Sequence, residues 1–408
     1  MLLNSAAGLL RGADPEAALK LDPLSSDTRV EVVVDALQSV AGPSTTGNIP
    51  KEIAALVRTG IRLSPIDARL FSLLGIIEKK NGDEEKAERL FRHALALLPT
   101  EIQALSQTLE ISVRRGDYAA AAHELEIIAR RWPRYWPKVE PILPAVLNDK
   151  PAFQAIVSGF GSDPFLQRLL TWSLIRKKEL LTPAYNIALA WHNDGKGDAG
   201  TAVNLVTTAL LNAGRASDAY LLFILTRPPA KETVAGYVYN GSFEKPLSGN
   251  AFDWQIRSQA GADIEIVDRH PKSGENGSGA DRDVPADDKA LAIRFLGSPL
   301  HFRNVSQFIR LTPGAYKIEV DYASVDLKTP EPLQLTISCT NGNVALGVLD
   351  FESGTSTGRT ASLDFSVPPD GCDLQRIETV GANLPLSWRY RYEGTLFLDR
   401  IRILRAAG

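Results

Sequence analysis

An excess of one charge is missing from this chain. Its 45 Lys and Arg stand against 48 Asp and Glu, a formal net charge of −3, so it lacks the broad basic field that dominates non-specific nucleic-acid affinity. Nucleic acid is therefore excluded as an expected partner. Long apolar runs are missing too: no stretch approaches the roughly 20 consecutive apolar residues of a membrane-spanning helix. The opening MLLNSAAGLLRG also lacks the basic start of a complete signal peptide. A chain cut just behind a signal or an anchor would begin in the same way, so membrane anchoring through a preceding N-terminal segment stays an open expectation.

Chemistry-bearing residues are sparse. His93, His123, His192, His270 and His301 have no metal-ligand spacing, and none sits beside a Cys or Ser nucleophile motif. Hydrolase triads are thus unsupported. Gly195, Gly197 and Gly200 satisfy G-x-G-x-x-G but lie between helical segments with no preceding strand, which makes a dinucleotide turn a poor reading. Acidic Asp281, Asp283, Asp287 and Asp288 fall in the polar run HPKSGENGSGADRDVPADDK, which reads as a loop. Asn240, Asn276 and Asn304 begin N-x-S sequons, meaningful only in a secreting eukaryote. The only cysteines are Cys339 and Cys372, 33 residues apart. A bridge between them would stabilise by roughly 3 to 4 kcal/mol and would imply an oxidising compartment such as the bacterial periplasm or the exterior. Two buried free thiols are the alternative.

What is present begins with a repeat at 34 residues. In DARLFSLLGIIEKKNGDEEKAERLFRHALALLP, the residues Phe71, Leu74, Gly75, Ala87, Phe91 and Pro99 take the spacing W-x2-LG … A-x3-F … P, with Glu78 where Tyr is usual. Adding 34 gives Leu105, Thr108, Leu109, Ala121, Leu125 and Pro133, and subtracting it gives Val57 and Pro65. Segments end alike at Pro23, Pro65, Pro99 and Pro133. Small residues let paired helices approach, Phe91 and Leu125 fill the space between pairs, and proline stops each second helix. After Trp132 the register decays, returning weakly as Ala202-x3-Val206 and Ala219-x3-Phe223. This pattern resembles the tetratricopeptide family closely over residues 51–133. The resemblance implies a concave surface that holds a protein partner, and a spacer packed on its neighbour is the alternative.

Around RPPAKETVAG the helical period gives way to alternation of period 2. The apolar faces are Tyr316, Ile318, Val320 and Tyr322, then Leu333, Leu335, Ile337 and Cys339, then Leu363, Phe365 and Val367. Short strands with frequent turns and no intervening helix favour an antiparallel sandwich. The expectation is an α + β chain in separate domains: an α-solenoid of tetratricopeptide-like hairpins over 1–228, a linker at 229–236, and a β-sandwich or jelly roll over 237–408.

The opening YNGSFEKPLSGNAFDW, the middle IRLTPGAYKIEVDY and the closing GTLFLDRIRIL resemble the carbohydrate-binding-module jelly rolls of galactose-binding-like form. The resemblance implies a structural calcium held by Glu244 and Asp399, whose hard oxygens suit that ion; ordinary rim carboxylates are the alternative. For sugar contact, SWRYRYEG places Trp388, Tyr390 and Tyr392 on one face of an expected strand and Arg389 and Arg391 on the other, with Trp254 as a second platform candidate. Aromatic faces stack on sugar C–H faces, and Arg bonds hydroxyls or acidic sugars; a stripe of sheet core is the alternative.

By resemblance, such a pairing of domains is similar to proteins of bacterial cell-envelope polysaccharide systems. The expected function is a non-enzymatic adaptor, periplasmic or envelope-associated, that binds a protein partner and a polysaccharide in exopolysaccharide or O-antigen assembly, export or attachment. A polysaccharide lyase or hydrolase acting in a jelly-roll groove, and a purely structural scaffold, are the alternatives.

Overall fold

The computed structural model describes residues 12–40, 49–195, 197–227, 237–268 and 289–406. The acidic run from Asp281 to Asp288, His270, the sequon at Asn276 and the linker at 229–236 lie outside the described residues. The chain divides into two compact units, Met1–Ser173 and Leu174–Gly408.

The first unit is helical: α1 Pro15–Leu21, α2 Ser26–Val40, α3 Lys51–Leu63, α4 Ala68–Lys80, α5 Glu84–Leu97, α6 Ile102–Arg115, α7 Tyr118–Arg131, α8 Trp136–Val139, α9 Leu143–Asn148, α10 Lys150–Gly161 and α11 Pro164–Ile175, the last running two residues past the division. Aspartates start most of the long helices. Asp83, Asp117 and Asp149 each accept the N–H three residues on, from Lys86, Ala120 and Ala152, at 2.9–3.1 Å, and each such cap is worth about 1 kcal/mol. The repeat signature has a direct steric cause. A Cβ on Gly75 would meet the ring of Phe91 at 2.5 Å, so only glycine lets α4 and α5 close. Glu78, in place of the usual Tyr, is buried because Arg58 at 3.1 Å and Lys86 at 2.9 Å neutralise it.

Glu124 has no such cation. Burial pushes its carboxyl up to about 7 from the ordinary 4.5, against hydrogen bonds from Thr108 and Ser112 that act to lower it. An acid raised on folding contributes stability below its unfolded value and loses it as pH rises from 4.5 to about 7. The full difference corresponds to about 3 kcal/mol as an upper limit. Glu124→Gln is therefore expected to raise the melting temperature above pH 7 and to flatten its pH dependence between 5 and 7, as thermal unfolding followed by circular dichroism will show.

The second unit joins helices α12 Leu181–Asp194, α13 Ala199–Asn212 and α14 Ala216–Leu225 to two antiparallel sheets. Its strands are β1 Gln255–Ile256, β2 Ala262–Asp268, β3 Lys289–Pro299, β4 Val305–Ile309, β5 Gly314–Lys328, β6 Leu333–Cys339, β7 Ala345–Phe351, β8 Gly354–Val367, β9 Gln375–Val380 and β10 Arg391–Arg405. The sheets are five-stranded, ordered β1-β4-β9-β6-β7 and β2-β3-β10-β5-β8. Between them lie Tyr316, Ile318, Val320, Tyr322, Leu335 and Ile337, the apolar faces read from the sequence. Cys339 and Cys372 form a disulfide, tying the end of β6 to the turn before β9. Gly195 and Gly197 take positive φ in the connection from α12 to α13, so that glycine motif is a helix-linking turn.

Composition changes near residue 228, but packing divides the chain earlier, because α13 and α14 pack against the segment at 239–252 that leads into the sandwich. Phe252, fully buried, meets Phe223 and Tyr220 with ring centroids at 5.5 and 5.2 Å. Asn250 donates to Asn204 at 2.9 Å, and Asn204 donates to the Ser248 carbonyl at 2.7 Å. A fragment of residues 237–408 would expose Phe252 and leave these amides unpaired. It is expected to unfold at lower temperature than a fragment of 174–408, or to aggregate, in a side-by-side scanning calorimetry comparison.

Candidate functional site

The sandwich opens with Asn240-Gly241-Ser242-Phe243-Glu244, and its geometry explains the motif. Asn240 closes a turn by accepting from Lys245 N and donating to Lys245 O, each at 2.9 Å. Gly241 accepts from Ile401 N at 2.9 Å, and a Cβ there would strike the Ile401 carbonyl at 2.1 Å. The first segment is thus clamped to the last strand through backbone. Glu244 is exposed and accepts from Lys289 N at 3.1 Å. Asp399 is buried, beside Ala290 in the wall of the cavity described next. Both are hard oxygen donors of the class calcium takes, but no group of three or more Asp, Glu, His or Cys is placed for a metal among the described residues. Backbone carbonyls would have to complete a calcium shell.

Strand β10 carries the most informative side chains. Leu396 and Leu398 enter the core, so Phe397 between them must face the other way. Phe397 pairs with Ala292 of β3 on one side and Ala323 of β5 on the other. Two small neighbours leave the ring in a trough. The next row holds Arg294, Thr395 and Val325, and on the other side Asp399 stands opposite Asp321. A pairing irregularity between Asp399 and Ile401, with Arg400 at φ 32°, marks a bulge at this end. The edge strand β8 supplies a wall of Thr355, Ser356, Thr357, Gly358, Arg359 and Thr360. This wall, with Ala323, Val325, Asp321 and Asp399, lines an open cavity of about 700 Å³ over Phe397.

The charged groups of the trough are largely committed. Asp321 pairs with Arg400 at 3.1 Å and accepts from the Thr360 hydroxyl at 2.6 Å. Arg359 pairs with Glu352. The floor is therefore apolar and the rim offers hydroxyls and neutralised ion pairs, a surface that takes a ligand with an apolar face and a hydroxylated edge.

The aromatic residues proposed from the sequence are not brought together. Trp388 and Tyr390 form a single 3-10 turn, and β10 begins only at Arg391, so Trp388, Tyr390 and Tyr392 do not share a strand face. Trp388 is 72% exposed, whereas Tyr392 is 1% exposed and packs on Phe295 with centroids at 5.3 Å. Trp254 is also buried, its ring 5.3 Å from Phe243 and its indole N–H donated to the Asn240 carbonyl at 2.9 Å. Neither Tyr392 nor Trp254 has a face to offer a ligand. Arg389 and Arg391 are both exposed, and Arg391 pairs with Glu393 at 2.9 Å. The sequon amides of Asn240 and Asn304 are buried and hydrogen-bonded, which rules them out as glycosylation acceptors. Phe397 was missed because TLFLDRI reads as one apolar run; its signal is an aromatic out of phase with the core positions on either side.

No protein-family model matches the chain, and no curated protein matches it. Among solved structures, it is similar to TmCBM61 in complex with beta-1,4-galactotriose, at 16% identity over 42% of this chain and 99% of that one, with a TM-score of 0.29. It is similar to the CBM22-1 xylan-binding domain of Paenibacillus barcinonensis Xyn10C, at 15% identity over 41% and 94%, TM-score 0.27. A third similarity is to pilF of Pseudomonas aeruginosa, at 15% identity over 49% and 89%, TM-score 0.27.

The two tryptophans make a direct contrast. Trp254→Ala is expected to cost about 3 to 5 kcal/mol through the cavity it leaves, while Trp388→Ala changes stability by less than about 0.5 kcal/mol. Urea unfolding of both variants checks this.

Proposed function

We propose that this protein is a non-catalytic adaptor that holds a polysaccharide in the trough over Phe397 and a protein partner on its helical hairpins. The reading rests on one observation: an outward-facing aromatic flanked by Ala292 and Ala323 at the floor of a roughly 700 Å³ cavity. A sugar ring laid on Phe397 covers an apolar C–H face. Its edge hydroxyls then meet Thr355, Thr357 and Thr360 on the β8 wall. The Cys339–Cys372 disulfide supports an oxidising setting, for which we propose the bacterial periplasm or cell envelope, in exopolysaccharide or O-antigen assembly, export or attachment. No described helix is long and apolar enough to cross a membrane, so the proposed anchoring relies on a segment beyond the helices described.

A polysaccharide-modifying enzyme draws on the facing pair Asp321 and Asp399. Against it, both oxygens of Asp321 are held by Arg400 and Thr360.

The proposed calcium would be held by Glu244, Asp399 and backbone carbonyls at the end where the first segment meets the last strand. Chelation is then expected to lower the melting temperature, with Glu244→Gln reproducing the shift.

The test of function is titration of the full chain with acidic and neutral bacterial polysaccharides. Phe397→Ala should weaken binding about tenfold or more, given roughly 1–3 kcal/mol for burying such a ring, with melting temperature unchanged and Trp388→Ala binding as wild type. No binding by folded wild type removes the glycan reading, and release of new reducing ends or unsaturated sugars removes the non-catalytic one.

A further inference from the structure

Helix α11 is apolar on opposite sides. Leu166, Gln167, Leu170 and Thr171 are buried, as expected for the face that packs on neighbouring helices. The other face carries Phe165, 53% exposed, Trp172, 49% exposed, and half-buried Leu169 between them. Spacings of four and three residues put these three in one stripe. A helix apolar all round is normally enclosed, yet this stripe meets solvent.

Arg168 lies within the stripe, three residues after Phe165 and four before Trp172. It is exposed and makes no ion pair among the described residues. Several arginines of the helical unit are supplied with carboxylates, Arg69 by Asp67 and Asp27, Arg58 by Glu78, and Arg115 by Glu88, whereas Arg168, like Arg62, Arg131 and Arg134, has none among the described residues. The nearest acid in sequence, Asp163, is taken by Arg130 at 2.9 Å and by the α11 amides of Phe165 and Leu166. The stripe therefore offers two aromatic rings, a leucine and one uncompensated guanidinium.

We propose that this face of α11 docks an amphipathic helical segment of a partner protein, whose apolar residues cover Phe165, Leu169 and Trp172 and whose carboxylate pairs with Arg168. The inference deepens the adaptor reading and rests on it for the existence of a protein partner. Trp, Phe and Arg are the side chains that most often carry interface energy, and charge complementarity selects an acidic occupant over a basic one.

The probe is a pair of labelled synthetic amphipathic helices with leucines at i, i+3, i+4 and i+7, one flanked by glutamates and the other by lysines. Each is titrated with the full chain by fluorescence anisotropy. The acidic peptide is expected to bind about tenfold more tightly than the basic one, with Trp172→Ala weakening it about tenfold. Arg168→Glu, a surface change that leaves the fold intact, should reverse the preference. Equal binding of the two peptides, or binding indifferent to both substitutions, overturns the proposal. So does self-association of the chain lost in Trp172→Ala, which would assign the face to a second copy, and so does sedimentation with phosphatidylglycerol vesicles in place of peptide binding. Glycan titrations of the same variants should match wild type. A wild type that binds peptide but no glycan sinks only the polysaccharide half of the adaptor reading.

Discussion

The central strand of a sheet must satisfy neighbours on both edges as well as both faces, and β10 is the central strand of β2-β3-β10-β5-β8. It pairs with β3 and β5 along most of its length, so a shift of one residue would turn every side chain to the wrong side. Leu396, Leu398, Ile401 and Ile403 are in the core. The bulge after Asp399 keeps both halves of the strand in phase with it despite an extra residue. The contact of Gly241 with Ile401, just past that bulge, tolerates no side chain. The NGSFE segment, the bulge and the outward placement of Phe397 are thus parts of one constraint: the register of β10.

The same constraint makes the trough. Sheets gain stability from cross-strand pairs of large side chains, and the row through Phe397 forgoes this by flanking the ring with alanines. A half-buried aromatic with small neighbours contributes less to folding than a packed row would. It leaves a recess instead, walled by the hydroxyl-rich β8. The helical unit follows a different logic, in which Gly75 and Phe91 fix the closeness of a hairpin and ion pairs such as Glu78 with Arg58 and Lys86 fill positions that aromatics take elsewhere.

The helices and strands were legible because their periods are physical. The 34-residue repeat marks steric contacts, and alternation in KIEVDYAS and LQLTISC marks burial of one face. Of the two readings open for Cys339 and Cys372, a bridge or two buried thiols, the structure shows the bridge. The site was less legible. Trp254 and Tyr392 read as platform candidates because composition carries no sign of depth, and both are core. SWRYRYEG alternates like a strand, but its first residues turn before β10 begins. Phe397 depends on neighbours from β3 and β5, more than 70 residues away in sequence, and no local pattern reports them. The packing of α13 and α14 on the segment that leads into the sandwich escaped for the same reason, since Phe223 and Phe252 meet across a stretch that composition marks as a boundary.

Hydrogen–deuterium exchange on the full chain, with and without saturating polysaccharide, addresses the central claim most directly. Binding in the trough predicts slowed exchange confined to β5, β8 and β10 around Phe397, with the Trp388 turn unchanged. Protection centred on the Trp388 turn, or none on the three strands while polysaccharide is bound, would contradict the account.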